Sequence, residues 1–220
     1  MTKIKHKAYS VAEEVAHALT HGTGAIAAIV GLVLMLAWAS TYGDTFHVVS
    51  AAIYGGSLIL LYSASTLYHA FPWPRIKAFF QHLDHAAIYV LIAGTYTPFA
   101  LVNLRGAWGW TLLAVVWSIA IFGVVIELAL KERKKWLSLS LYLGLGWMAI
   151  LVIKPMLDNV AAGGLWLLLG GGLAYTFGVI FYVWKSLPFH HAIWHLFVLA
   201  GSVLHFLSVF YYVLPQPDMI

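Results

Sequence analysis

The sequence predicts an all-α protein, an integral membrane bundle of seven transmembrane helices with a cytoplasmic N-terminus and an outside C-terminus. Three observations carry this. Of 220 residues, 62% are hydrophobic and only 9% charged, so a soluble core could hide just a fraction of the apolar side chains. Apolar stretches of about 20 residues recur between short polar breaks, each long enough to cross about 30 Å of hydrocarbon. The cations fall on alternate loops. Seven such spans use up nearly the whole chain, which reads as a single domain over residues 1–220.

The spans are expected at about residues 24–39, 47–69, 84–102, 109–130, 136–153, 165–184 and 192–214. The first follows a polar segment holding Glu13, Glu14, His17 and His21, and lacks both an abutting basic region and a small-residue cleavage site, so it reads as a retained helix. Turn-forming residues separate the rest: Gly43-Asp44, Pro72-Trp73-Pro74, Arg105-Gly106, the charged run 131–135, Gly163-Gly164 and Leu187-Pro188. Pro98 should bend the third span.

Orientation follows from the cations. Lys3, Lys5, Lys7, Arg75, Lys77, Lys131, Arg133, Lys134, Lys135 and Lys185 fall on one side, and only Arg105 and Lys154 on the other. The positive-inside rule makes the first side cytoplasmic. The run 131–135 reads as a topology determinant, with Glu127 and Lys131 spaced to pair along a helix. The net charge of +4 is thereby explained by membrane orientation, and nucleic acid is not expected as a partner. The location implied is the cell membrane, which is the inner membrane in a Gram-negative cell.

There is no cysteine, which excludes disulfides, thiolate catalysis and iron–sulfur clusters, and leaves His, Asp and Glu to hold any transition metal. On the predicted topology the chemistry gathers at the cytoplasmic ends of three helices. Ser65 and His69 stand four apart at the end of the second span, His82, Asp84 and His85 open the third, and His190, His191 and His195 open the seventh. A His pair at i,i+4 projects two imidazoles from adjacent turns, and a third His from another helix leaves one tetrahedral position for water, a catalytic zinc pattern. Each piece also has a plain structural reading: a helix hydroxyl bonded to its own backbone for Ser65, and an N-terminal helix charge for Asp84. Their shared depth favours a site, because ionisable groups inside a membrane are costly and need partners.

Ser65-x-x-x-His69, Leu83-Asp84-His85-Ala86-Ala87-Ile88, Gly94-Thr95-Tyr96-Thr97-Pro98 and His191-x-x-x-His195, in this order, resemble the hemolysin III-like bacterial branch of the progestin and adipoQ receptor superfamily. The resemblance covers nearly the full chain, including Glu13-Glu14 and Thr20-His21-Gly22. It implies seven helices, a zinc ion held by His69, His191 and His195, Asp84 and Ser65 around its water, and kinship with alkaline ceramidases. His17 departs from the pattern, standing where Asn is expected in many relatives, and creates a second i,i+4 pair with His21. That pair is set aside as a ligand set, since its only nearby carboxylates, Glu13 and Glu14, have no evident role. His82, His85 and His190 are expected around the site or at the interface. His205 is expected as a hydrogen-bonded core residue about 15 Å deeper than His195 by the helical rise, and His6 and His47 as ordinary loop or interface residues.

Two functions remain open. One is a zinc-dependent hydrolase of lipid amides, with Asp84 as proton acceptor and Ser65 orienting the water. The other is a membrane sensor with a structural zinc and no hydrolysis. Membrane lipids are the expected partners and lipid homeostasis the expected setting. A proton path ranks below both, because the polar groups cluster at one face. Cytolysis is discounted for a permanently inserted bundle.

Overall fold

The computed structural model describes residues 9–129 and 135–215. Its order is α1 (Val11–Tyr42), α2 (Thr45–Ala70), α3 (Pro74–Pro98) continued by a π-helical turn (Phe99–Asn103), α4 (Ala107–Ala129), α5 (Lys135–Gly146), a 3-10 stretch (Trp147–Val152), α6 (Ile153–Asn159), α7 (Ala162–Val183) and α8 (His190–Tyr212). Counting α5 to α6 as one interrupted span, seven helical segments among the described residues are long and apolar enough to cross a membrane. Large apolar side chains such as Ile26, Val33, Ile121, Phe122 and Leu151 point outward, as expected where lipid replaces water around the bundle.

Two helices begin earlier than hydropathy predicts. α1 starts at Val11, some thirteen residues before the apolar stretch, because Ser10 and Glu13 form a reciprocal capping box. The polar first turns carry His17 and His21 on the stripe that continues through Gly24, Ala28, Gly31, Met35 and Ala39, all buried. α3 starts at Pro74, whose missing N–H costs nothing in a first turn. Pro98 does disturb its helix: the chain widens into the π turn, closed by Leu104 N–H donating to Phe99 O at 2.8 Å. The fifth span runs to Asn159, with its middle turned tighter beside Gly144 and Gly146.

Packing is closest along α1 to α4 and between α7 and α8, and α1 also lies on α8. Small residues permit the approach. A Cβ on Gly24 would lie 2.6 Å from the Tyr62 ring, and one on Gly123 2.4 Å from Tyr89. The fifth span is loosely held, with only 17% of its most apolar window buried, and a cavity of about 600 Å³ opens between it and its neighbours.

Polar contacts identify the two ends. At one end Glu14 of α1 meets His69 of α2 and Lys77 of α3. At the other, Trp38 donates to Pro215 O at 2.8 Å, and Arg105 reaches Asp44 at 2.8 Å while lying over the Phe46 ring. Partial desolvation of the Asp44 carboxyl works against its ionisation, but Arg105 and the N–H groups it caps at α2 hold its pKa well below the usual carboxylate range. His47, in the first turn of α2, is part of that cap. The run 131–134, with the proposed Lys131 partner of Glu127, and His6 lie outside the described residues. Glu127 itself accepts from Ser138 at 3.2 Å.

A glycine pair tests this packing. A Cβ on Gly109 would fall 2.1 Å from the Ala100 carbonyl oxygen, whereas one on Gly56 would meet nothing within 4 Å. Gly109→Ala should therefore lower the stability of the detergent-solubilised protein by about 1–3 kcal/mol, and Gly56→Ala should leave its thermal unfolding unchanged.

Candidate metal centre

Three helix termini converge at the Glu14 end. α1 contributes Glu14, His17 and His21 from successive turns, α2 ends with His69, and α8 opens with His191 and His195 one turn apart. Phe189 delivers the chain into α8 with φ of 55°, a left-handed conformation that costs a non-glycine residue about 1–3 kcal/mol. The Glu13 carboxylate accepts from the Ser10 N–H at 2.8 Å and so closes the α1 cap.

Ligand atoms of His69, His191 and His195 lie within 4.8 Å of one another, and those of Glu14, His17 and His69 form a second such group. The tautomers of two rings follow from their partners. A carboxylate only accepts, so His69 Nδ1–H donates to Glu14 Oε2 at 2.7 Å and leaves Nε2 bare. His195 Nδ1 faces Thr20 Oγ1 at 3.2 Å and the His17 carbonyl at 3.3 Å, which likewise frees its Nε2 to coordinate. An acceptor on the far nitrogen is how proteins orient metal-ligating imidazoles. Glu14 is held in turn by Lys77 at 2.8 Å.

Among the described residues, seven ring nitrogens here are buried without a hydrogen-bond partner: both of His17, His21 and His191, and Nε2 of His69. At about 1–3 kcal/mol each, such atoms would offset the whole stability of an ordinary domain, about 5–15 kcal/mol. A bland core of packed histidines is therefore a poor account, and a donor set made for a cation is a good one. The chemistry of the donors, all imidazole with one carboxylate, suits a borderline transition ion such as zinc.

Of the residues picked out by sequence, the structure gathers His69, His191 and His195 into one donor group. Asp84 and Ser65 are in neither donor group; they line the cavity together with His21, His191 and His195. The Ser65 hydroxyl is fully buried without a hydrogen-bond partner. His82, His85 and His190 turn Nδ1 to backbone carbonyls of Glu127, Gln81 and Phe181. His205 donates to Leu168 O at 3.1 Å, as a core histidine should.

The first-helix residues do more than the sequence suggested. Glu14 is the carboxylate partner of His69, and His17 stands among the other rings. The His21 ring lies flat on His195, centroids 3.5 Å apart and planes 12° apart. The signal was present: Glu14, His17 and His21 share one face of a helix at spacings of three and four. Tyr9, just before the cap, stacks on His191 at 5.4 Å and meets His17 edge-on at 4.7 Å. Burial, reinforced by Tyr68, Tyr182 and the two glutamates, pushes its phenol well above the usual tyrosine value, so it stays a neutral cover on the cluster.

Beneath the histidines the cavity runs between α3, the fifth span, α7 and α8, from Asp84 and Ser65 to Ile153, Leu165 and His205, with walls that are largely aliphatic and aromatic. Its volume falls within the ~300–1,000 Å³ range of small-molecule sites.

The fold and site together define a class, a multi-pass membrane protein with a histidine-rich candidate metal centre opening onto a cavity among its helices. The chain belongs to the haemolysin-III related family, which matches residues 9–206. It is 49% identical over 205 residues to hemolysin-3 of Bacillus cereus, covering 93% of this chain and 94% of that one. It is 45% identical to the hemolysin-3 homolog of Bacillus subtilis (strain 168), covering 95% and 98%. Further off, it is 31% identical to the human monocyte to macrophage differentiation factor, over 93% of this chain and 86% of that protein. The hemolysin III-like likeness read from the motifs is thus borne out, and the chain is a multi-pass plasma-membrane protein.

Glu14→Gln keeps the shape but loses the carboxylate that fixes His69. Affinity for a divalent transition ion, measured by chelator competition on the solubilised protein, should fall about 10–100-fold. Glu13→Gln, on the other side of the cap, should leave it within error of the parent.

Proposed function

We propose that this protein is a zinc-dependent membrane hydrolase that cleaves an amide bond in a ceramide-like or other acyl lipid and so takes part in membrane lipid homeostasis. The observation that carries the reading is the junction of the donor cluster with the apolar cavity: His191, His195, Asp84 and Ser65 line one end of a space whose remaining walls would hold an acyl chain.

His69, His191 and His195 are the ligands in this reading, with Glu14 keeping His69 in the right tautomer. When bound, zinc supplies Lewis-acid polarisation of a carbonyl and a water of low pKa. Asp84 accepts a proton from the attacking water and returns it to the leaving amine. The Ser65 hydroxyl, buried and without a partner, orients that water. The cavity walls exclude bulk water, and the loose contacts of the fifth span give a chain a sideways route in from the bilayer.

The metal end is the cytoplasmic end in this reading, because Arg75, Lys77 and Lys185 fall in or beside its loops while Arg105 and Lys154 lie toward the other. The chain has no cysteine, so single cysteines introduced at Lys185 and at Arg105 can be labelled with a membrane-impermeant maleimide on intact cells. Only the second should react; labelling of the first alone would reverse the orientation.

One observation favours a second reading, a sensor whose zinc is structural: His17 offers a further donor beside the three ligands, and structural zinc sites use four protein ligands. The experiment is metal analysis of the purified protein and of His191→Ala, followed by turnover of a panel of acyl-amide lipids with Asp84→Asn as control. About one zinc per chain, lost in His191→Ala, with hydrolysis lost in Asp84→Asn, supports the enzyme. Metal retained with no lipid hydrolysed in any case favours the sensor, and equal zinc in parent and His191→Ala removes the ligand assignment.

A further inference from the structure

Away from the metal end, the cavity wall carries a polar group that the protein answers on one side only. His205 of α8 donates from Nε2 to the Leu168 carbonyl at 3.1 Å. A carbonyl only accepts, so the ring proton is fixed on that nitrogen and Nδ1 is left as a bare acceptor. Among the described residues Nδ1 is buried without a hydrogen-bond partner. The other polar side chains along this wall are answered: Trp147 donates to Thr176 at 3.0 Å, Thr95 to Leu91 O at 2.8 Å and Tyr96 to Gly146 O at 2.7 Å. A donor group stands beside His205. Tyr175 of α7 lines the same cavity, its ring 5.4 Å from that of His205 and steeply inclined to it. Tyr62 donates to Ser202 Oγ at 2.7 Å, and Ser202 Oγ lies 2.8 Å from the Tyr175 hydroxyl. Ser202 makes no other side-chain bond among the described residues, so its one hydrogen goes to Tyr175 and the Tyr175 hydrogen is free to be donated onward.

We propose that His205 and Tyr175 form a second binding site, which takes a hydroxyl group carried on the chain of the lipid in the cavity. That hydroxyl donates to His205 Nδ1 and accepts from Tyr175. The inference rests on reading the cavity as a lipid site, but not on hydrolysis. Packing alone does not account for His205: an acceptor left unpaired in an apolar wall costs about 1–3 kcal/mol, and an apolar side chain of similar size would fill the space without that cost. A hydroxyl fits better than a carbonyl, which could answer Tyr175 but not the bare nitrogen. Depth adds a second condition. His205 stands ten residues along α8 from His195, about 15 Å by the helical rise, so the site reads a hydroxyl at that distance from a head group held at the histidines. A chain hydroxylated next to its head would leave His205 unanswered.

The probe is octadecanamide in competition with its hydroxy isomers, which carry the hydroxyl next to the amide, about 15 Å down the chain, or at its end. Native mass spectrometry of the full-length, zinc-loaded Asp84→Asn protein counts the bound species with turnover suppressed, since each isomer is heavier than the plain amide by one oxygen. The isomer with its hydroxyl at the depth of His205 should be preferred about 10-fold over the plain amide, and the other two should gain little. In the same background Tyr175→Phe and His205→Phe should each abolish that preference while binding the plain amide as before. No preference, an equal preference for every position, or a preference that survives both substitutions overturns the proposal and leaves the cavity as a lipid site. Failure of every amide to bind overturns both. If His205→Phe does not fold, Tyr175→Phe, which keeps its ring over Gly201, decides alone. A preference that stands while the panel of lipids goes unhydrolysed supports this site and sinks only the enzyme.

Discussion

Everything at the functional end depends on one constraint: imidazole nitrogens sealed away from water must be given partners. Hydrogen bonds meet it for His69 and His195 on one side of each ring, through Glu14 and through the His17 carbonyl with Thr20. Among the described residues they do not meet it on the other side of the His69 ring, nor for His17, His21 and His191 at all. The remaining lone pairs converge from three helices, and a cation satisfies several at once where hydrogen bonds would need a separate donor for each. The same constraint explains why α1, α2 and α8 must end at one level. A slip of one turn, about 5.4 Å, in any of them would take a ring out of the cluster.

The bilayer sets the terms on which those helices are brought together. Lipid tails offer no hydrophobic drive for apolar helices to associate, so contact comes from close fit and internal polar bonds. Gly24 under Tyr62 brings α2 against α1 just below the histidines, and Gly31 under Phe206 does the same for α8. Tyr62 then donates to Ser202 of α8 at 2.7 Å, linking the two partners of α1 to each other. The fifth span lacks such a stripe and is interrupted in the middle. Its looseness is what leaves a cavity beside a cluster that is itself tightly built.

Seven spans and the three ligand candidates on α2 and α8 were legible in the sequence, because hydropathy marks spans and i,i+4 spacing marks a helix face. What hydropathy could not register was the first two turns of α1. Averaging over Glu13, Glu14, His17 and His21 reads as a polar lead-in, although the capping box at Ser10 and the three- and four-residue spacing of Glu14, His17 and His21 describe a helix just as well. The early start of α3 was hidden in the same way by Arg75, Lys77 and Gln81. The π turn after Pro98 and the 3-10 middle of the fifth span depend on local backbone hydrogen bonding, for which Pro98 alone gave a cue. Asp84 and Ser65 were read as neighbours of the metal from their depth, and they share its cavity; their distance from a bound ion is a property of the loaded site.

The cavity links depth along α8 to the size of a ligand. His195 and His205 both line it, and ten residues of helix separate them by about 15 Å. A molecule with its polar group at the histidines would therefore lay its chain along α8 toward the level of His205, against the aliphatic faces of α6 and α7. His205 turns its Nε2 away to Leu168 O, and Gly171 makes room for its ring, since a Cβ there would lie 2.2 Å from it. The histidine cluster thus sits at one end, and the rest of the wall is mainly aliphatic and aromatic. That gradient, polar at the helix starts and apolar along their length, has the form an amphiphile entering head first would need, and it is the feature on which the proposed lipid reading rests.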